Sequence, residues 1–188
     1  MFEFLDKGIK SIDFESKEVE QIFYENNLVW EKTQLILTFK NGTTLHLGRP
    51  KEMLDYEFRP GWKDSKVSSS NLVVKVDMPN SIVRMGAHTL RQNQIDEFIM
   101  PDSVEEAGEY FLAECGIKKI KLSENLQKLP RFGLYGNEFV ELYIPNSVTV
   151  IDDYCLHENT KLKTIYMKKG TSYSRNGWPA GAKIIWRD

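Results

Sequence analysis

The sequence predicts a β-rich solenoid of the mixed α/β class, a stack of short coils that follows a small β-hairpin module. Three observations predict it: a recurring phrase, a repeated apolar frame, and an Asn-Gly pair near the start. The phrase occurs as MPNS at Met78, MPDS at Met100 and IPNS at Ile144. Self-similarity at a period of 22–23 residues indicates stacking, because a coil of this length buries too little apolar surface to fold alone.

Residues 1–50 are predicted to form the β module. Within them, QIFYENNLVWE and LILTFKNGTTLHL each predict a hairpin. The pair Asn41-Gly42 strengthens the second prediction, because a type I′ turn needs positive φ at both central residues. Residues 51–70 are interpreted either as a connector or as a degenerate first coil.

Residues 71–168 are predicted to form five coils. The frame L-x-x-L-x-L occurs five times, as Val73/Val76/Met78, Ile95/Phe98/Met100, Ile117/Ile120/Leu122, Phe139/Leu142/Ile144 and Leu162/Ile165/Met167. Its alternation predicts a short strand with one buried face, and the proline that follows three of the frames ends the strand. The stretch EEAGEYFLAEC predicts a short helical or 3-10 turn on the other side of the coil. Residues 169–188 are predicted to cap the stack, with AKIIW as its last strand.

One position that recurs four times along the repeats carries a small side chain suited to bonding the backbone. This column contains Asn93, Cys115, Asn137 and Asn159. At a turn, such side chains are expected to hydrogen-bond the main chain of their coil. In the third coil Ser123 replaces the proline of the phrase, and we expect this change to weaken the local geometry.

These units resemble the BspA-type leucine-rich repeat, whose pattern is IP-x-SV-x-x-I-G-x-x-A-F-x-x-C-x-x-L. The matching words are MPNSIVRMGAHTL, MPDSVEEAGEYFLAEC and IPNSVTVIDDYCL, and the resemblance covers about 71–168. It implies a leucine-rich-repeat solenoid, a class whose members are often displayed on the outside of bacteria.

The segment SKEVEQIFYENNLVWEK resembles a short stretch near the start of tail and baseplate proteins of phages and prophages of Gram-positive bacteria. This resemblance implies a virion protein, made in the host cytoplasm, that attaches to tail components and contacts the host surface with its repeats. The alternative hypothesis is a bacterial cell-surface or secreted adhesion protein. The sequence has no apolar run long enough to span a bilayer, and it starts without the pattern of a secretory signal. This start favours the first hypothesis, or a signal that has been removed.

The composition excludes several classes of partner. With 41% hydrophobic and 28% charged residues the chain has the composition of a core-forming protein, and its net charge is −2. This charge gives no general attraction to nucleic acid or to an anionic membrane. Residues 161–188 nevertheless contain seven basic side chains and one acidic side chain, which are interpreted as a partner surface or as a solvated face.

No motif predicts catalysis, a metal site or a cofactor. The acidic clusters Glu105-Glu106-Glu109 and Asp152-Asp153 lie on the turn side of their coils and are interpreted as solvated charge. No phosphate-binding glycine loop, nucleophile elbow or zinc-binding helix is present. We therefore expect a protein that is not an enzyme.

The cysteines and histidines have no metal-ligand spacing. Cys115 lies in the Asn column and Cys155 shares a position with Thr89, Phe111 and Gly133, so both are predicted to be structural. His88 and His157 are interpreted as incidental surface or loop residues.

The candidate binding site is the outward face of the repeat sheet, predicted to be continuous with rungs about 4.8 Å apart. The candidate residues are Asp77, Glu97, Ile99, Lys119, Lys121, Glu141, Tyr143, Thr164 and Tyr166. Tyr143 and Tyr166 lie on adjacent rungs and offer rigid aromatic area with a hydrogen-bonding tip, equally suited to a protein loop or a cell-surface carbohydrate. The alternative interpretation is ordinary cross-strand packing. Trp178 and Trp186 are predicted to belong to the core of the cap.

Overall fold

The computed structural model describes residues 34–188 throughout and, before them, the backbone of four strands. These are β1 (Phe2–Phe4), β2 (Ile9–Ile12), β3 (Gln21–Tyr24) and β4 (Asn27–Glu31). Strand β1 pairs antiparallel with β2, and β3 pairs antiparallel with β4. The hairpin predicted in QIFYENNLVWE is therefore confirmed. The chain divides into two compact units, 1–33 and 34–188.

The second predicted hairpin belongs to the larger unit. Its strands are β5 (Ile36–Phe39) and β6 (Thr44–His46), which pair antiparallel. The other edge of β5 pairs antiparallel with β8 (Val73–Asp77), the first long strand of the repeats. Leu35 and Leu37 are buried in the common core, so this hairpin covers the first strand of the stack instead of forming part of a module that extends to residue 50.

The turn of this hairpin differs from the predicted type I′ turn. Phe39 donates its N–H to the carbonyl of Thr43 (2.9 Å), which leaves three residues in the loop. Only Gly42 of the predicted pair has positive φ, at 85°. The Oδ1 atom of Asn41 accepts the N–H of Thr43 at 3.0 Å. This side-chain turn holds Asn41 at negative φ, and the single positive φ is what a three-residue loop with glycine requires.

Residues 51–188 form coils with a strand on each of two sides. The first side contains β8, β10 (Glu97–Ile99), β12 (Lys119–Lys121), β14 (Glu141–Tyr143), β16 (Thr164–Lys168) and β18 (Lys183–Arg187). The second side contains β7 (Glu52–Met53), β9 (Arg84–Met85), β11 (Glu106–Ala107), β13 (Lys128–Leu129), β15 (Val150–Ile151) and β17 (Ser172–Tyr173). All pairings between coils are parallel, for example Phe98 opposite Ile120.

Residues 51–70 form a coil of this stack. Strand β7 pairs in parallel with β9, placing Met53 opposite Met85. Met53 and Phe58 are fully buried. This stretch therefore shares the parallel pairing and the core of the coils that follow it.

The predicted helical turns are absent from residues 34–188, which contain only strands, turns and bends. In EEAGEYFLAEC, Tyr110 and Glu114 have φ of 56° and 57°, a left-handed conformation that ends any right-handed helix. The N–H of Glu114 donates to the carbonyl of Tyr135 in the next coil at 2.7 Å. The backbone bonds of this side therefore run between coils and not four residues back along the chain.

The predicted Asn column is confirmed as a ladder of buried hydrogen bonds. The Oδ1 atom of Asn137 accepts the N–H of Ile117 at 3.0 Å, and its Nδ2 donates to the carbonyls of Leu112 (2.9 Å) and Leu134 (3.0 Å). Asn93 and Asn159 make equivalent bonds. Each side chain thereby joins its own coil to the coil before it.

The serine of the repeated phrase provides a second ladder. Its Oγ donates to a carbonyl of the preceding coil in three bonds, from Ser81 to Pro50 (2.9 Å), Ser103 to Ile82 (2.7 Å) and Ser147 to Leu126 (2.8 Å). Together with the proline turn, these bonds explain why the phrase recurs. It builds the joint between successive coils.

The coil that contains Ser123 keeps this joint by other means. The buried Ser123 donates its Oγ to the carbonyl of Val104 at 2.6 Å. Asn125, at the position of the phrase serine, donates Nδ2 to the carbonyl of Asp102 at 2.7 Å. Two side chains therefore bond to the preceding coil, and the weakening expected from the lost proline is not seen.

Candidate binding face

All of the predicted face residues lie on the outward surface of the strands that form the first side of the coils. Strands β10 and β14 each bury their central residue, Phe98 and Leu142, and expose both neighbours. Strand β16 alternates in the same way, with Ile165 and Met167 buried. The outward placement follows from the two-residue period of a strand whose other face is in the core.

The face is not one continuous hydrogen-bonded sheet, contrary to the prediction. It consists of the antiparallel sheet β6-β5-β8, the pair β10-β12 and the sheet β14-β16-β18. Asp77 lies opposite Ile36 of the hairpin, and Ile99 lies opposite Lys121. The nine residues are thus distributed over three local surfaces, and only the last brings the two tyrosines together.

Tyr143 and Tyr166 form a face-to-face stack. Their ring centroids are 4.2 Å apart and the ring planes differ by 2°. Tyr143 is 53% exposed, so the stack lies on the surface. The hydrogen bond with the phenol of Tyr143 is the main cause that raises the pKa of Tyr166. This bond stabilises the neutral phenol and therefore opposes its ionisation.

The next rung adds a residue that the sequence analysis missed. Ile185 lies opposite Tyr166 in β18 and is 45% exposed. We call Tyr143, Tyr166 and Ile185 the tyrosine patch. AKIIW was predicted to be the last strand, which the pairing of β18 with β16 confirms, and the two-residue period of that strand would have placed Ile185 on the outward side.

Each of the two earlier surfaces contains an ion pair. Lys75 contacts Asp77 at 2.8 Å, and Lys121 contacts Asp102 at 3.1 Å. The pKa of Asp102 is lowered, first because its carboxylate accepts the backbone N–H of Glu124 and then because of Lys121. These surface pairs neutralise one another locally and contribute little to stability.

A ladder of aromatic rings lies at one corner of the coils, and the sequence analysis did not identify it. Its stacked members, in order along the axis, are Trp62, Tyr56, His88, Tyr110, Phe132 and Tyr154, with centroid separations of 4.2, 4.6, 4.5, 4.6 and 5.1 Å. Arg91 lies over Tyr110 at 4.7 Å and Arg131 over Phe132 at 4.8 Å. Four of these rings recur at the 22-residue period, a signal that was present in the sequence.

His88 is therefore not an incidental surface residue. Its ring is stacked between Tyr56 and Tyr110, and its Nδ1 lies 3.5 Å from a guanidinium nitrogen of Arg91. Burial, as the largest cause, and the positive charges of Arg91 and Arg59 together lower the pKa of His88 to about 4. His157 is also engaged, stacking on Tyr135 with a centroid separation of 5.8 Å.

Both cysteines are buried, which agrees with the prediction that they are structural. The thiol of Cys115 donates to the carbonyl of Leu90 at 3.1 Å. Burial raises the pKa of both thiols to about 12. Thiols that remain protonated at neutral pH are poor nucleophiles.

One residue of the acidic clusters and two other carboxylates on the same side of the coils contact basic neighbours. Asp152 contacts Lys128 at 2.7 Å, and Arg84 on the same side bridges Glu52 (3.0 Å) and Asp55 (3.2 Å). In the described part of the chain, no three His, Cys, Asp or Glu side chains are grouped as metal ligands. The described residues also contain no helix able to cross a bilayer.

Of the two cap tryptophans, only Trp178 behaves as predicted. It packs against the edge of the core, beside Tyr173 at 4.8 Å. Trp186 is 48% exposed, because it lies in the outermost strand of the sheet β14-β16-β18, where no described strand packs beyond it.

The BspA type leucine rich repeat region matches residues 66–177 of this chain in six copies. The chain belongs to the BspA-type leucine-rich repeat family. Its two stacks of strands, its Asn ladder and its serine ladder are thus features of a BspA-type solenoid. No curated protein matches the chain significantly.

Two solved structures share this fold. A leucine rich cell surface protein from Faecalibacterium prausnitzii A2-165 is 16% identical, with a TM-score of 0.56 over 90% of this chain and 40% of that protein. The pneumococcal vaccine antigen PcpA is 15% identical, with a TM-score of 0.50 over 68% of this chain and 38% of that protein. At such identities the likeness concerns the fold alone. The chain spans less than half the length of either protein.

Proposed function

We propose that this BspA-type solenoid is a non-enzymatic recognition module of a bacterial cell-surface or secreted protein, and that it binds its partner through the tyrosine patch. The cell-surface location is supported by the two similar structures, of which one is a cell surface protein and the other a vaccine antigen. The family supports the binding role, since a repeat stack offers an extended surface and few sites for catalysis.

The stacked pair Tyr143–Tyr166 is the observation that carries the proposal. Exposed apolar side chains are normal when they occur singly, but three on adjacent rungs form a patch. The core does not need them, because the inward residues Leu142, Ile165 and Ile184 already pack against it. Rigid aromatic side chains in such a position are typical of the energetic centre of an interface.

The phage-tail hypothesis has no comparable support. Neither of the two similar structures is a tail protein. The residues of SKEVEQIFYENNLVWEK lie partly outside the described residues, and the described part is a β-hairpin backbone. The proposal therefore follows the alternative hypothesis of an adhesion or interaction protein.

The double variant Tyr143→Ala with Tyr166→Ala tests the binding surface. The purified chain and the variant are applied to arrays of immobilised surface proteins and glycans, and their melting curves are compared by circular dichroism. We expect partner binding to fall about tenfold or more, as for the loss of an aromatic hot spot, with the fold retained. The matched control is Val83→Ala, which removes an apolar side chain of similar exposure, 46%, outside the patch. Equal binding by the wild type and the double variant would exclude the tyrosine patch.

The location is tested separately on the organism that carries the gene. Intact cells are treated with a protease or an impermeant label, and the chain is followed by mass spectrometry. Labelling before lysis is the expected result. Recovery of the unlabelled chain only from lysed cells would contradict a surface location.

A further inference from the structure

The outward side of the sheet β14-β16-β18 has three rows of side chains that run across the strands. The middle row is the tyrosine patch. One flanking row contains Glu141, Thr164 and Lys183, and the other contains Lys168 and Arg187. The shape and the charge of these three rows together limit the chemical class of partner that can bind this side of the sheet.

The stack limits how an aromatic ring can be used. With 4.2 Å between centroids and nearly parallel planes, each tyrosine covers one face of the other. The rung beyond Tyr166 is occupied by Ile185. The faces that the two rings turn toward each other are closed to a ligand, whereas a sugar that stacks on an aromatic side chain needs an open ring face. The geometry favours a partner that inserts apolar side chains beside the rings.

The flanking charges favour an acidic partner. Lys168 and Lys183 are exposed, and within residues 34–188 neither of them makes an ion pair, unlike Lys121 and Lys161, which contact Asp102 and Glu138. Arg187 donates to the carbonyl of Ile144 and so holds its positive charge at the edge of the patch. Glu141 is the single carboxylate of the two rows. The surroundings of the patch are positive although the chain as a whole has a charge of −2.

We infer that the partner of the tyrosine patch is an acidic polypeptide segment, bound in extended form across strands β14, β16 and β18. Its apolar side chains lie along the middle row, and its carboxylates meet Lys168 and Lys183. The inference rests on the proposed function and adds the chemical class of the partner. Charge complementarity of this kind sets specificity and association rate more than affinity.

The test uses a short fluorescent peptide of alternating glutamate and phenylalanine, and a matched peptide of alternating lysine and phenylalanine. Binding to the full chain is followed by fluorescence anisotropy at low and at physiological salt. We expect the acidic peptide to bind more tightly than the basic one by about tenfold or more, and salt to weaken it because exposed charges are screened. The negative net charge of the chain works against unspecific binding of the acidic peptide.

Charge reversal locates the site. Lys168→Glu with Lys183→Glu should reduce binding of the acidic peptide by about tenfold or more, whereas Lys51→Glu, an exposed lysine on the second side of the first coil, should leave it unchanged. All three side chains are exposed, so the variants are expected to fold, and melting curves verify this. Equal binding of the two peptides, or no effect of the double reversal, would overturn the inference.

The same variants separate this inference from the proposed function. On the glycan and protein arrays, a ligand that is lost with Tyr143→Ala/Tyr166→Ala but kept by the lysine reversal would leave the proposed function in place and refute the acidic peptide. Binding of a glycan at the tyrosine patch would likewise leave the proposed function in place and refute the acidic peptide as the partner. If the tyrosine variant changes no interaction on either array, both the inference and the assigned surface fail.

Discussion

Replacing Asn137 by alanine is expected to lower the free energy of unfolding by about 2–6 kcal/mol, estimated from the bonds that are lost. Asn137 is 3% exposed. Without its side chain, the N–H of Ile117 and the carbonyl of Leu112 lose the partners they have at 3.0 and 2.9 Å. The carbonyl of Leu134 keeps a donor, the Nδ2 of Asn159 at 3.0 Å. Two buried groups are therefore left unpaired, at about 1–3 kcal/mol each.

Urea unfolding followed by circular dichroism measures this loss, provided that the slope against urea stays constant. Asn80→Ala is the control, because Asn80 is exposed and lies in the turn of the repeated phrase; it should change stability by at most about 0.5 kcal/mol. Asn137→Cys should fall between the two, since the thiol of Cys115 in the same column bonds a backbone carbonyl. If Asn137→Ala costs no more than Asn80→Ala, the ladder does not hold the coils together as argued.

Further predictions concern the corners, the ladder and the thiols. Gly108→Ala should destabilise the fold more than Gly133→Ala, and thermal melting compares the two. The added Cβ would lie 2.5 Å from the backbone nitrogen of Ala87 in the first case, whereas in the second its nearest neighbour would be a side-chain atom, in the ring of Phe111 at 2.9 Å. The pKa of His88 falls from 6.5 to about 4 on folding, so the unfolded chain takes up a proton before the folded chain does. Stability should therefore decline as the pH drops from 6.5 toward 4. His88→Tyr should flatten this part of the plot of melting temperature against pH, and an unchanged plot would refute the assignment. Cys115 and Cys155, with pKa values of about 12, should react with a thiol reagent only on unfolding, so rapid labelling of the native chain would contradict their burial.

Most of the fold could be predicted from the repeat period of the sequence. The spacing of the apolar frame placed Phe98 and Leu142 in the core and the intervening residues outside, because the two-residue alternation of a strand leaves no other solution once one face is buried. The hydrogen-bonding role of Asn137 was also predictable, since an amide at a buried turn must find backbone partners.

Other features depend on properties that a residue pattern does not encode. EEAGEYFLAEC has the composition of a helix, and only the left-handed φ at Tyr110 and Glu114, imposed by stacking on the next coil, excludes one. The interruption of the face between Lys121 and Tyr143 depends on exact distances between coils. The aromatic ladder from His88 to Tyr154 recurs at the same period, but its column mixes imidazole, phenol and phenyl rings and so has no single residue type that marks it.

The direction of the hydrogen bonds between coils has a mechanical consequence. The bonds of the Asn ladder, of the serine ladder and of backbone pairs such as Glu114 to Tyr135 all point along the stacking axis. Tension applied along that axis loads these layers one after another, so the stack should peel a coil at a time instead of yielding in one event. Each released coil of 22 residues would lengthen the chain by about 70 Å, given about 3.3–3.6 Å per extended residue. A solenoid that links a cell to a surface would then act as an extensible tether, giving way in regular steps under drag while the remaining coils stay folded.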